Sequence, residues 1–157
     1  PAFQAVGTIL NDYGRGIPKE AWAQITEAVT SGGSATVSCG LIMADGTTYG
    51  AGVQVLWYFS ANENSWGLNR HTGYDTLATL ELFTCQSSAI AGDMFLRLKY
   101  EGSNNWSGWS SGDGVSWINF TGTKARTLTP THIGFFVSTW GGALPFGWSV
   151  RYFRKSA

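Results

Sequence analysis

Apolar and polar residues alternate with a period of two along much of the chain. The clearest example spans Ser34–Ala44, and Asp45-Gly46 follows it as a turn signal. Successive side chains of a β-strand point to opposite faces, so this alternation predicts a strand with one buried face. The apolar positions are Ala35, Val37, Cys39, Leu41 and Met43.

The same period recurs at intervals of about 8 to 14 residues, a spacing typical of sandwiches and barrels. We therefore predict an all-β, antiparallel fold with a single domain over residues 1–157. The further predicted strands are Tyr49–Ser60, Trp66–His71, Leu77–Gln86, Met94–Glu101, Trp106–Ser111, Val115–Phe120, Ile133–Val137 and Phe146–Tyr152.

The segment Ile17–Val29 carries conflicting signals. Pro18 suits a first helical position and Gly32-Gly33 suits a helix end. The strands predicted on its C-terminal side favour a strand instead. We expect a strand that begins at about Trp22.

Composition excludes several classes of partner. Charged residues make up 13% of the chain, whereas 43% are hydrophobic and 15% aromatic. Ten basic residues balance ten acidic ones, so no global field attracts nucleic acid or an anionic membrane. No apolar run approaches the roughly 20 residues that span a bilayer. We expect neither nucleic acid nor membrane as a partner.

Metal and redox chemistry have weak support in the sequence. Cys39 and Cys85 form no CxxC pair, and His71 and His132 are isolated. Both cysteines fall on apolar strand phases, which favours buried thiols and leaves a disulfide open. Asp113 could offer a calcium ligand, but no full ligand set accompanies it. We expect no cofactor and no metal.

The region Met94–Arg154 carries four motifs in order. It resembles the C-terminal half of concanavalin A-like lectin/glucanase sandwiches, in the branch of accessory domains of carbohydrate-active proteins. That resemblance implies a jelly roll of two antiparallel sheets, one of them concave. The motifs are Met94-Phe-Leu-Arg-Leu-Lys-Tyr-Glu-Gly102, Trp109-Ser-Ser-Gly-Asp-Gly-Val-Ser-Trp117, Leu128-Thr-Pro-Thr-His-Ile-Gly-Phe-Phe-Val137 and Tyr152-Phe-Arg154.

Glucanases of this family carry catalytic carboxylates close together on one strand. Glycoside hydrolysis needs two carboxyl groups about 5 to 9.5 Å apart. Among the ten acidic residues here, no two lie two or four positions apart on one predicted strand. Glu81 lies between Leu80 and Leu82 and would need a partner from another strand, such as Glu27. We therefore expect a protein that is not an enzyme, with a glycoside hydrolase as the less favoured alternative.

Tryptophan is abundant, with eight residues. Strand phase places Trp57, Trp117 and Trp148 in the core, and it sends Trp106 and Trp109 to opposite faces. A chain of this size cannot bury all of its indoles, so the remainder predict a sugar-binding face or a subunit contact. The candidate ligand-binding residues are Trp66, Arg70, Trp106, Trp109 and Trp140.

The sequence is compatible with two functions. The first is a lectin-like module that recognises a glycan or polysaccharide surface. The second is a stand-alone virion protein of phage type, in a decoration, fibre or tail-tip role, that forms homo-oligomers or binds other virion subunits. Pro1-Ala2-Phe3 shows no signal peptide, which leaves open a natural start after Met removal or a domain of a longer precursor. We expect a location at an extracellular or virion surface.

Overall fold

A computed structural model describes residues 9–11, 20–29, 36–46, 52–59, 64–73, 76–79, 81–84, 94–140 and 146–156. Strands are the only regular elements among these residues. They are β1 (Ile9–Asn11), β2 (Glu20–Val29), β3 (Thr36–Ala44), β4 (Gly52–Phe59), β5 (Asn64–Gly73), β6 (Thr76–Thr79), β7 (Leu82–Thr84), β8 (Met94–Gly102), β9 (Asn105–Ser111), β10 (Ile118–Asn119), β11 (Lys124–Ala125), β12 (His132–Trp140) and β13 (Phe146–Ser156). In these ranges no helix is long and apolar enough to cross a membrane.

The described strands form two antiparallel sheets. Sheet A has the order β1-β12-β3-β4-β5-β6, and β7 also pairs with β5. Sheet B has the order β10-β9-β8-β2-β13, and β11 also pairs with β9. The prediction of an all-β antiparallel sandwich is confirmed.

Strand β2 resolves the conflict in the segment Ile17–Val29. It pairs with β8 on one side and with β13 on the other. A central position in sheet B provides partners for its backbone on both sides, and this outweighs the local helix signals. The segment is therefore a strand, and it begins at Glu20, two residues before the predicted start.

The hydrophobic core lies between the two sheets. Trp106 is its largest fully buried side chain, with 0% of its surface exposed. Its Nε1–H donates to the Arg126 carbonyl at 3.0 Å, and the Tyr100 ring lies 4.8 Å away between centroids. Cys39 is buried in this core as predicted, whereas Cys85 lies outside the described residues. The other core members include Leu41, Met43, Val53, Val55, Leu68, Leu96, Leu98 and Ile133.

A tight turn joins β8 to β9 and supports the buried indole. Ser103 and Asn104 adopt positive φ angles of 50° and 64°, the left-handed backbone that two-residue hairpin turns require. The Asn104 carbonyl accepts from the Arg126 N–H at 2.7 Å, and its Oδ1 accepts from Leu128 N–H at 3.2 Å. The turn therefore holds the segment whose carbonyl accepts the Trp106 hydrogen bond.

Two predicted strands are shorter than expected. The segment Val115–Phe120 pairs with β9 only at Ile118–Asn119, because the residues before it form a hydrogen-bonded loop. The segment Leu77–Gln86 contains β6 and β7, with Glu81 between them. In both places a local irregularity replaces a strand that the alternation alone predicted.

Replacing Trp106 with alanine tests the importance of the buried indole. Trp106→Ala leaves a cavity and an unsatisfied carbonyl, and we expect a loss of about 3 to 5 kcal/mol in the free energy of unfolding. Urea denaturation measures it. Trp109→Ala, at a half-buried site on the same strand, is the matched control and should cost clearly less. Equal losses in the two variants would contradict the assignment of Trp106 as the core anchor.

Candidate functional site

A row of paired positions crosses sheet B and contains Arg97 and Trp109, whose side chains lie on the outer face. Directly paired residues of neighbouring strands share a face. The register pairs Arg154 with Trp22, Trp22 with Arg97, Arg97 with Trp109, and Trp109 with Asn119. The row crosses all strands on the main path of sheet B, on the side opposite Leu96 and Leu98.

Arg97 is the centre of this face. Its Cζ lies 5.4 Å from the ring centroid of Trp109 and 5.6 Å from that of Trp117, both within range of a cation–π interaction. Its Nη2 also lies 2.7 Å from Glu20 Oε2 on β2. One guanidinium therefore fixes two indoles and one carboxylate from three separate segments.

A second chain of contacts fixes Trp109 from its other end. The indole Nε1–H donates to Ser107 Oγ at 2.9 Å, and the Ser107 hydroxyl donates to Glu101 Oε1 at 2.9 Å. Lys99 Nζ lies 2.8 Å from Glu101 Oε2. Burial raises the pKa of Glu101, but Lys99 and Ser107 outweigh it and the net pKa is lowered. Glu101 is thus a carboxylate at neutral pH, and it forms an ion pair with Lys99.

The loop after β9 positions Trp117. Asp113 Oδ1 accepts from the backbone N–H of Val115 at 2.8 Å and of Ser116 at 2.7 Å, and from the Ser111 hydroxyl at 2.8 Å. These hydrogen bonds hold the pKa of Asp113 well below its usual range. The loop therefore has a defined shape at its exposed tip.

Phe95 provides the surface on which this loop lies. Gly114 has a φ of +74°, and a Cβ there would meet the Phe95 ring at 2.9 Å, so the position suits glycine. The Phe95 and Trp117 rings meet edge to face, with centroids 6.5 Å apart. The loop thereby carries Trp117 onto the same face as Arg97.

The structure places the predicted site residues in different environments. Trp66 and Trp106 are buried, at 6% and 0% exposure, so neither of these two predicted ligand-binding indoles is available as a surface platform. Trp66 lies within β5 on the core phase, beside Phe120 at 5.8 Å between centroids. Arg70 is half-buried and donates from Nη2 to the Thr127 carbonyl at 2.9 Å. Trp140 ends β12, and its side chain is outside the described set.

Trp109 and Trp117 are the indoles that the structure brings together. Trp109 faces outward, as one of the two alternatives for Trp106 and Trp109 predicted. Trp117 was expected in the core, and this is wrong, because the Asp113 loop interrupts the strand and resets the phase. Trp57 and Trp148 are the other two predicted core indoles, and their side chains are not among those that the structure describes.

Sequence reasoning did not select Arg97 and Glu20. In the sequence, Arg97, Lys99 and Glu101 occupy alternate positions of the predicted strand Met94–Glu101, and this charged phase is the only signal for Arg97. Glu20 lies 77 positions away from Arg97 in the chain. Only the register of β2 against β8 brings the two together.

Glu81, the candidate catalytic acid, joins the edges of the two sheets. Its Oε1 lies 2.9 Å from Arg126 Nη2 and its Oε2 lies 3.2 Å from Lys124 Nζ. Burial raises the pKa of Glu81, but the hydrogen bonds and positive charges of Arg126 and Lys124 lower it by more, so the net pKa is lowered. A general acid in glycoside hydrolysis needs a raised pKa, and the ion pairs oppose that role. Glu27, its proposed partner, belongs to β2 of the other sheet.

The outer face of sheet A carries a second polar group, and this group is buried. Gln54 pairs with Asn69 in the register, and His71 follows on the same strand phase. All three are at most 6% exposed, and burial lowers the pKa of His71. Across the described ranges, no group of three or more His, Cys, Asp or Glu residues could hold a metal ion. Arg97, Trp109 and Trp117, in contrast to this buried group, are partly exposed.

Comparison with solved structures identifies the fold. The chain is similar to a β-glucanase of Bacillus licheniformis, with a TM-score of 0.60 and 10% identity over 90% of this chain and 67% of that one. The fold is concanavalin A-like. A carbohydrate-binding module, CBM66 of Bacillus subtilis, matches at a TM-score of 0.54 and 12% identity over 96% of this chain and 82% of that one. CG-16, a homodimeric agglutinin from chicken liver, matches at a TM-score of 0.53 and 11% identity over 96% of this chain and 100% of that one.

Sequence comparison adds no closer assignment. No protein-family model matches the chain, and no curated protein matches it. The identities to the solved structures are low, so these neighbours establish the fold alone.

The expectation that the chain is not an enzyme is corrected by these neighbours. They include the β-glucanase and also Scytalido-glutamic peptidase, which matches at a TM-score of 0.57 and 11% identity over 99% of this chain and 74% of that one. Enzymes and lectins share this sandwich, so the missing glucanase motif was too narrow a basis for excluding catalysis. The expectation of a virion role receives no support from these proteins.

Replacing Glu81 tests its role as a bridge between the sheet edges. Glu81→Gln leaves the buried Arg126 without its carboxylate, and we expect a loss of about 1 to 2 kcal/mol in unfolding free energy at pH 7. The folded pKa lies below the ordinary 4.5, so this contribution is complete above the unfolded pKa and is lost as pH falls through the folded pKa. Urea denaturation at neutral and acidic pH should show the difference from wild type shrinking on acidification. A difference that grows on acidification would contradict the ion-pair assignment.

Asp113 is expected to hold Trp117 against Arg97. Asp113→Ala removes the acceptor for two backbone N–H groups, so the loop should loosen. In a ¹H–¹⁵N spectrum, the chemical shift of the Trp117 indole N–H should then move towards that of a solvent-exposed tryptophan. Asp113→Asn keeps an acceptor oxygen and is the matched control, with a smaller shift expected. An unchanged Trp117 signal in the alanine variant would show that the contacts with Phe95 and Arg97 position the ring without the Asp113 hydrogen bonds.

Proposed function

We propose that the chain binds a glycan through the outer face of sheet B, with Trp109 and Trp117 as stacking platforms. One observation carries the proposal: two half-buried indoles are fixed on a single guanidinium, among side chains that can exchange hydrogen bonds with hydroxyl groups. An indole offers a flat apolar surface with a polar N–H at its edge. The apolar face of a pyranose and its ring of hydroxyls match that combination.

Rigidity supports a binding role for this face. Arg97 is paired to Glu20, Trp109 to Ser107, and the Trp117 loop is closed by Asp113. Side chains that are already ordered lose little conformational entropy when a ligand binds. The face therefore favours recognition by a preformed surface over recognition by a mobile loop.

The structural neighbours support the same class of ligand. They include a carbohydrate-binding module and an agglutinin, and this chain contains an aromatic surface of the kind that a sugar requires. The neighbours also include glycosidic enzymes. Samples with bound polysaccharide should therefore be assayed for new reducing ends, which would add hydrolysis to binding.

Alanine variants of the two indoles test the proposal. The probes are insoluble and soluble polysaccharides in pull-down and calorimetric titration. Trp109→Ala and Trp117→Ala should each weaken binding about tenfold or more, as for buried aromatic contacts in other interfaces. Ile118→Ala is the matched control, because Ile118 is 69% exposed on the same hairpin and is not aromatic.

The pattern of losses decides between this surface and others. Loss of affinity in both indole variants, with Ile118→Ala unchanged, supports stacking on Trp109 and Trp117. Undiminished affinity in both indole variants would place the glycan elsewhere on the chain. Thermal unfolding of each variant verifies that the sandwich is intact.

A further inference from the structure

Two ion pairs lie on the proposed glycan surface, and they bear on whether its ligand is charged or uncharged. We infer that the ligand of this face is an uncharged glycan and not a uronate-containing or sulfated one. The inference rests on the proposed function and narrows it. Its basis is the pairing of Arg97 with Glu20 and of Lys99 with Glu101 on this face.

Arg97 is already engaged on its hydrogen-bonding edge and stacked by two rings. Its Nη2 meets Glu20 Oε2 at 2.7 Å, and the side chains of Arg97 and Glu20 are only 23% and 11% exposed. An anionic sugar that displaced Glu20 from Arg97 would leave that carboxylate buried without its partner, and one that approached Arg97 beside Glu20 would meet the carboxylate at close range. Such a loss is costly for a largely buried charge.

Lys99 repeats this arrangement in the same strand. Its ammonium lies 2.8 Å from Glu101, which also accepts a hydrogen bond from Ser107. The register pairs Glu20 with Lys99 and Lys99 with Ser107. Among these four side chains, Arg97, Lys99, Glu20 and Glu101, cations and carboxylates alternate and the charges sum to zero.

Hydroxyl groups suit this arrangement better than anions do. A sugar hydroxyl can donate to Glu20 or Glu101 and accept from Arg97 or Lys99 without breaking either ion pair, since each oxygen and ammonium has further hydrogen-bonding capacity. An anionic group meets two carboxylates at close range, and like charges across an interface are strongly unfavourable. Binding of a neutral sugar should also depend little on ionic strength.

Paired polysaccharides test the inference with the full chain. Suitable pairs are dextran with dextran sulfate, hydroxyethyl cellulose with carboxymethyl cellulose, and methyl-esterified homogalacturonan with polygalacturonate. Affinity is measured by calorimetry at about 50 and about 500 mM salt. For any backbone that binds, the neutral form should bind about tenfold or more tightly than the acidic form, with little change between the two salt concentrations.

Glu20→Gln provides a gain-of-function readout. The amide keeps a hydrogen-bonding oxygen but removes the negative charge, so Arg97 becomes available to an anion. Acidic polysaccharides should then gain affinity at low salt and lose that gain at high salt. Glu101→Gln uncovers Lys99 by the same logic, so the test does not depend on one variant folding.

The outcomes separate this inference from the proposed function. Tighter binding of the acidic forms by the wild-type chain, still lost in Trp109→Ala, would overturn the inference and leave the glycan surface standing. Binding of no polysaccharide at all would overturn both. Preference for neutral forms that the Glu20→Gln variant relaxes would support both.

Discussion

Strand β9 carries two indoles three positions apart, and the two-residue period of a strand sends them to opposite faces of sheet B. Trp106 enters the core and donates to the Arg126 carbonyl, which fixes the segment beside the β8–β9 turn. Trp109 faces outward and lies on Arg97. The same strand therefore supports the interior of the sandwich and the surface proposed to bind glycan.

Charge pairing makes the outward face possible in a chain with few charged residues. Arg97 is held by Glu20 and by two rings, and Lys99 is held by Glu101. These pairs keep long side chains ordered on a surface that is only partly exposed. The result is a polar and aromatic surface on which Arg97 and Lys99 are each paired with a carboxylate. That combination distinguishes it from the outer face of sheet A, where Gln54, Asn69 and His71 are buried.

Much of the fold was predictable because strand alternation is a local property. The segment Met94–Glu101 showed its buried and charged phases directly, and β8 confirms them. The candidate site was predictable only in part. Strand phase predicted that one of Trp106 and Trp109 faces outward, without saying which. The Asp113 loop shifted Trp117 out of the expected phase, and Glu20 reaches Arg97 only through pairing between strands distant in sequence. Such register is set by the whole sheet and leaves no trace in a short window. The absence of one family motif also gave too strong an argument against catalysis, because proteins with one fold differ in their sites.

The most direct test of the account is a titration of the chain, labelled with ¹⁵N at the tryptophan indoles, with a neutral polysaccharide fragment. The eight tryptophans give separate Nε1–H signals that can be assigned by substitution. We expect saturable shifts at Trp109 and Trp117, while Trp66 and Trp106 stay unchanged within the core. Shifts at Trp66 or Trp106 with none at Trp109 and Trp117 would contradict it.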